Sequence, residues 1–276
     1  MGNLSLLLLG AWVTAAGAAT TPSTSGGMPC LSHRPSSQQL QSFDNLIFAQ
    51  DYKNITSSVV IDTYVHIVAS DNSERGGYLS AQTIEQQMKV LSDDFSSTGF
   101  SFRLIDTDYT INSNWAAGND DLGMKQSLRK GQYSTLNLYY LGNVASKFSG
   151  FCTYPVQVSR DPATFYRDGC VQGAWTVPGR GTRFSLGRIT THEVGHWLFL
   201  IHTFEGGCNG GDQVDDTPAE ASPASGCPEG RDTCSAPGVD PIHNHMDYTD
   251  DSCRTEFTRG QITRMQRSWE AYRQGK

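Results

Sequence analysis

Three histidines and one glutamate crowded into a short stretch are the residues best equipped for chemistry: His192, Glu193, His196 and His202. If Leu186 to Leu200 is a helix, His192 and His196 lie four residues apart and project from one face. Two imidazoles at that spacing can grip one zinc ion. Glu193 sits beside the first histidine, where its carboxylate reaches a water polarised by the metal rather than the metal itself. Zinc draws the pKa of such a water towards ~7, and Glu193 would take its proton and pass it to a leaving amine. His202 supplies the third protein ligand of a hydrolytic site. The rival third ligand is a downstream glutamate. Glu205 is too close to belong to a second helix, however, and Glu220 lies among Ala, Ser and Pro without helical period.

These side chains need a scaffold, and the sequence sketches one. Val59, Ile61, Thr63, Val65 and Ile67 alternate with a second set, as in a largely buried strand. Ser80 can cap a helix whose apolar positions Ile84, Met88, Leu91 and Phe95 recur at helical steps, closed by Gly99. Phe100 to Tyr109 and Leu136 to Leu141 read as further strands, so a mixed sheet with packed helices is expected. Residues 204–257 are rich in Gly, Pro, Asp and Cys and would need cross-links or ions to stay ordered. Thr258-x-x-Gln261 is a capping box opening a C-terminal helix with an apolar stripe of Ile262, Met265, Trp269 and Tyr272. Residues 20–57, rich in Ser, Thr, Gln and Pro, show no clear period and suit a pro-segment or linker.

The chain as a whole fits an exported protein. Leu4 to Val13 is an apolar run followed by small residues, with Ala16-Gly17-Ala18 as a cleavage site; the run is too short to span a bilayer. A net charge of -7 and pI near 5.4 offer phosphates no basic stripe, which argues against nucleic acid. Seven cysteines in an exported chain point to disulfides with one thiol left over, six of them allowing fifteen pairings. Asn54-Ile55-Thr56 is a glycosylation sequon.

Further residues bring a resemblance. Gly187-Arg188, Thr191 through Trp197, His202-Thr203-Phe204, Gly211-Asp212, Asp216-Thr217-Pro218 and Met246-Asp247-Tyr248-Thr249-Asp250-Asp251-Ser252-Cys253 are similar to the pappalysin branch of the metzincin metalloproteases, the secreted fungal and archaeal ulilysin-like enzymes. The likeness covers roughly residues 58–272. It implies an α/β (α+β) metzincin-like fold: a twisted mixed sheet with packed helices above the zinc cleft, and an irregular, disulfide-stapled lower subdomain. The expected division is a signal peptide over 1–18, a pro-segment over 19–57, an upper subdomain with the zinc helix over 58–203, and a lower one with the Met-turn and C-terminal helix over 204–276. The implied activity is a secreted zinc endopeptidase acting on proteins or peptides. His192, His196 and His202 would hold zinc, Glu193 would be the base, Tyr248 would stabilise the oxyanion, and Met246 would pack beneath the metal.

The resemblance also implies the pairs Cys208–Cys234, Cys227–Cys253 and Cys152–Cys170. It suggests calcium at the oxygen-rich loop containing Asp212 and Thr217. Cys30 is then unpaired. Relatives place a latency cysteine in the pro-segment, but Met28-Pro29-Cys30-Leu31-Ser32 lacks its flanking Arg and Gly, so an idle thiol is the leading expectation and a cysteine switch the alternative. Phe199 stands where the family pattern has glycine, at the bend leading to the third ligand. A side chain forced to positive φ there costs about 1–3 kcal/mol. The alternative reading is therefore an inactive metzincin-fold binding protein whose His202 is poorly presented. His245 replaces an aromatic residue and reads as packed or solvated. Asp250 and Asp251 suggest basic residues after the scissile bond, or simply an acidic face.

Overall fold

The computed structural model describes residues 30–32, 34–48, 58–158 and 162–276. The signal stretch 1–18 and Asn54 lie outside them. The sheet has five strands: β1 (Val59–Ala69), β2 (Phe100–Ile111), β3 (Leu136–Leu141), β4 (Gly150–Cys152) and β5 (Cys170–Gly173). Their order is β2-β1-β3-β5-β4, parallel except for the short edge strand β4, which runs antiparallel to β5. The mixed sheet expected from the sequence is present. β1 alternates at its start and is buried continuously from Val65 to Ala69, the pattern of a strand covered on both faces.

The two coverings differ. One face carries the larger core, with Ile84, Met88 and Leu91 from α2 (Ala81–Asp94), Val194 and Trp197 from α6 (Arg188–Trp197), and Met265 from α7 (Arg259–Ser268). The other is covered by Ala116 of α3 (Ser113–Ala116) and Met124 of α4 (Asp121–Leu128), with Val144 and Phe148. A further short helix, α5 (Pro162–Arg167), precedes β5. Ser80 caps α2 by accepting from Thr83 N, and Thr258 and Gln261 form the expected capping box of α7. The last turn, Trp269–Arg273, is π-helical.

Two elements depart from the sequence expectation. The stretch expected as a pro-segment is not without period: α1 spans Ser37–Phe48. It opens on a capping box in which Gln39 N donates to Ser36 Oγ and Ser36 N to Gln39 Oε1, and among its described side chains Leu40 and Phe43 are buried. The second departure is α6, which stops at Trp197, because Phe199 takes φ 75° and turns the chain out of the helix. Residues 204–257 contain only turns and one isolated bridge, Asn244 to Glu256. Cys208–Cys234 and Cys227–Cys253 cross-link that stretch, and Cys152–Cys170 joins β4 to β5, so all three implied pairings occur.

Candidate metal and active site

Helix α6 carries His192 and His196 on one face, and the turn after it delivers His202 to the same point. The Nε2 of His196 lies 3.2 Å from that of His192 and 3.1 Å from that of His202. Ligands ~2.05 Å from a tetrahedral zinc stand about 3.3 Å apart, so the three nitrogens fit that ion. Each ring is oriented through its other nitrogen. His192 Nδ1 donates to His245 O at 2.7 Å and His196 Nδ1 to Leu200 O at 2.8 Å. His202 Nδ1 lies 3.2 Å from Glu205 Oε1. Such outer bonds fix the tautomer and leave Nε2 as a bare lone pair. Burial holds all three imidazoles below their ordinary pKa, reinforced at His192 and His196 by the neighbouring rings, so they are neutral and able to accept a metal.

Around them stand the other expected residues. Glu193 is fully buried, and burial pushes its carboxyl up to about 8. It fits only because β4 opens with glycine: a Cβ at Gly150 would stand 2.8 Å from Glu193 Oε1. Met246 lies under the helix, and a Cβ at Gly195 would collide with its sulfur. That close approach accounts for the glycine between the two histidines. The Tyr248 hydroxyl is 3.2 Å from His202 Nε2.

Cys30, read from the sequence first as an idle thiol, is not set apart. Its Sγ joins the three histidines in one group of converging ligand atoms, 3.6 Å from His196 Nε2. A thiolate and an imidazole on one tetrahedral zinc would stand about 3.6 Å apart. The neighbouring residues follow it into the cleft: Leu31 N donates to Gly150 O on the β4 edge, and Ser32 Oγ donates to Glu193 Oε2. Tyr248 in turn donates to Cys30 O at 3.3 Å.

The strain expected at Phe199 is present, but His202 is in place regardless. The Phe199 ring stacks on Phe43 of α1 with centroids 4.2 Å apart, and lies near Tyr272 and Tyr154. Burial in that cluster offsets the backbone cost. The rival ligands are elsewhere: Glu205 supports His202 from behind, and Glu220 is buried against Thr203 and Arg231. His245 is packed, its ring 4.7 Å from Phe257, and it acts through its carbonyl. At the loop expected to hold calcium, Asp212 accepts from Val214 N and Gln261 Nε2, and Thr217 Oγ1 is 3.4 Å from Thr258 Oγ1. Among the described residues its carboxylates form no converging group. Sequence reasoning missed Tyr154, whose hydroxyl is 2.9 Å from His196 Nδ1. No local spacing announces a partner 42 residues away.

Comparison with known proteins agrees with this geometry. Residues 132–270 match the peptidase M43 family, described as pregnancy-associated plasma protein-A. An extracellular metalloprotease of Pyricularia oryzae is 52% identical over 80% of this chain and 78% of its own. One from Colletotrichum graminicola is 45% identical over 90% and 91%. Among solved structures, a Tannerella forsythia promirolysin variant superposes with a TM-score of 0.68 at 26% identity, covering 85% of this chain and 87% of that one. Mature mirolysin with a cleaved peptide gives 0.62 at 26% identity, over 76% and 91%. The histidine cluster, the glutamate beside it and the shared fold thus agree with the sequence match: the chain belongs to the M43 peptidase family and is a metalloprotease.

Proposed function

We propose that the protein is a secreted, zinc-dependent endopeptidase that hydrolyses peptide bonds in extracellular proteins, made with an N-terminal segment that blocks its own site. The observation that carries this reading is the convergence of three neutral imidazole Nε2 atoms beside a buried glutamate. Zinc held by His192, His196 and His202 supplies Lewis acidity to the peptide carbonyl and to water. Glu193, beside the first histidine, takes a proton from the attacking water and returns it to the departing amine, ending as it began. Tyr248 donates its hydroxyl to the oxyanion of the tetrahedral intermediate. Met246 is structural.

Latency by Cys30 is supported by what residues 30–32 engage: the thiol meets the histidines, Ser32 takes Glu193, and the Cys30 carbonyl takes Tyr248. These are the groups a substrate needs.

The test is zinc content per chain together with casein digestion by wild type, Glu193→Ala and Tyr248→Phe. We expect about one zinc per chain, abolished digestion in Glu193→Ala, and kcat lowered about a hundredfold in Tyr248→Phe. Glu193→Ala digesting at the wild-type rate would sink the mechanism. Cys30→Ala should digest without processing; a precursor as silent as wild type would remove the latency claim. The inactive-binder reading finds no support in the turn at Phe199, since His202 joins the other two imidazoles.

A further inference from the structure

Beside His192 lies a small hollow, walled by Phe184, Ile189, Ser149, Tyr248 and Arg254 and closed on one side by Cys30. A substrate residue flanking the scissile bond is the natural occupant of a hollow that shares walls with the reacting centre. From sequence, Asp250 and Asp251 suggest that a basic side chain would be welcome there. The geometry argues otherwise. Asp251 is fully buried, and both its carboxylate oxygens are engaged: Oδ2 accepts from Leu186 N and Arg188 N at the start of α6, and Oδ1 is ion-paired with Arg254 Nη2. Asp250 faces Arg183, 3.4 Å away. Arg254 is itself 1% exposed, and its Nε is buried without a hydrogen-bond partner. Buried donors are rarely left so.

We propose that Arg254 determines specificity: it closes Asp251 to lysine and arginine, and favours a substrate side chain with an apolar stem and an acceptor tip, glutamine or glutamate. Phe184 and Ile189 suit the methylenes, and the guanidinium suits the oxygen. A basic side chain would meet a cation of its own sign with the nearby carboxylate already engaged, which is discrimination by repulsion.

This inference rests on the peptidase reading above, so it is tested on purified full-length chain carrying Cys30→Ala, in a preparation that digests casein, with the Arg254 variants made in the same background. Quenched fluorescent peptides carry Gln, Glu, Leu, Lys or Arg in turn on either side of the scissile bond. At one of those positions kcat/KM for Gln or Glu should exceed that for Lys and Arg about tenfold. Arg254→Met frees Asp251 and should raise cleavage at Lys and Arg about tenfold while losing the acceptor preference. Arg254→Lys keeps Asp251 engaged, so basic residues stay poor and only the acceptor preference falls; it carries the test should Arg254→Met not fold. A Cys30→Ala chain preferring Lys or Arg, or both Arg254 variants retaining its profile, would overturn the proposal. Casein left undigested by every preparation would instead count against the peptidase reading.

Discussion

Phe199 shows how a single residue can carry opposing effects. Its φ of 75° is strained for any residue with a Cβ, yet its ring is fully buried among Phe43, Tyr154 and Tyr272. Removing a buried phenylalanine costs about 3–5 kcal/mol, more than the strain it relieves. Phe199→Gly is therefore expected to lose about 2 kcal/mol of stability while keeping its zinc content, as measured by denaturant unfolding and metal analysis. A more stable variant would reverse that ranking. Asp212 gives a prediction of different sign. Burial holds its carboxyl up at about 7, against hydrogen bonds from Gln261 and Val214 that pull it down. Because the folded value exceeds the unfolded one of about 3.9, the stabilisation is whole below about pH 4 and is lost as pH rises through 7. Asp212→Asn, fixed neutral, should flatten that loss, which reaches at most about 4 kcal/mol. Melting curves at pH 4, 6 and 8 would test this; parallel curves for the two proteins would count against it. At this scale the histidines were legible, because four-residue spacing on a helix is a local signal. Their orientation was not, since the carbonyls of Leu200 and His245 have no side-chain signature.

Among the elements, α6 depends on the end of the chain. Arg273 is fully buried, donates to the Trp197 carbonyl and to Asp168, and lies 3.5 Å over the Trp197 ring. It thus caps the C-terminus of the helix that carries the histidines. Arg273→Met leaves Asp168 with only part of its compensation from Arg129. A loss of about 3–5 kcal/mol is expected, read as a lowered Tm and a weakened zinc site. The variant keeping wild-type Tm and zinc affinity would show the cap to be dispensable. The capping boxes and apolar steps of α2 and α7 made those helices readable from sequence. α1 escaped because its first two turns are mostly glutamines and serines, with Leu40 and Phe43 as the buried apolar residues among its described side chains, although Ser36 and Gln39 gave a usable signal.

Across the whole molecule, order comes from two sources. The sheet and its helices share large apolar clusters, whereas residues 204–257 add Met246 and Phe257 to the largest of them and form the small cluster of Ala224, Ile242 and Cys253. Their two disulfides each close a separation of 26 residues, worth about 3.5 kcal/mol apiece on loop-closure grounds. Under reducing conditions hydrogen exchange should therefore accelerate first across 204–257, with β1 and β3 still protected. Uniform acceleration would indicate one cooperative unit instead. Sequence composition anticipated this contrast, since a Gly-, Pro- and Asp-rich stretch cannot bury much apolar surface. The contact of residues 30–32 with the histidines, across 166 positions, was open to the sequence only as the alternative that the resemblance offered for Cys30.

The contact between Gly195 and Met246 reaches beyond this fold to how its sequence can change. Because any side chain at 195 would strike the methionine sulfur, the two positions behave as one locus under selection. A first step at 195 is closed while Met246 stands, and becomes passable only after 246 has shrunk. Double-mutant analysis should accordingly find strong epistasis here, with Gly195→Ala less damaging beside Met246→Ala than alone.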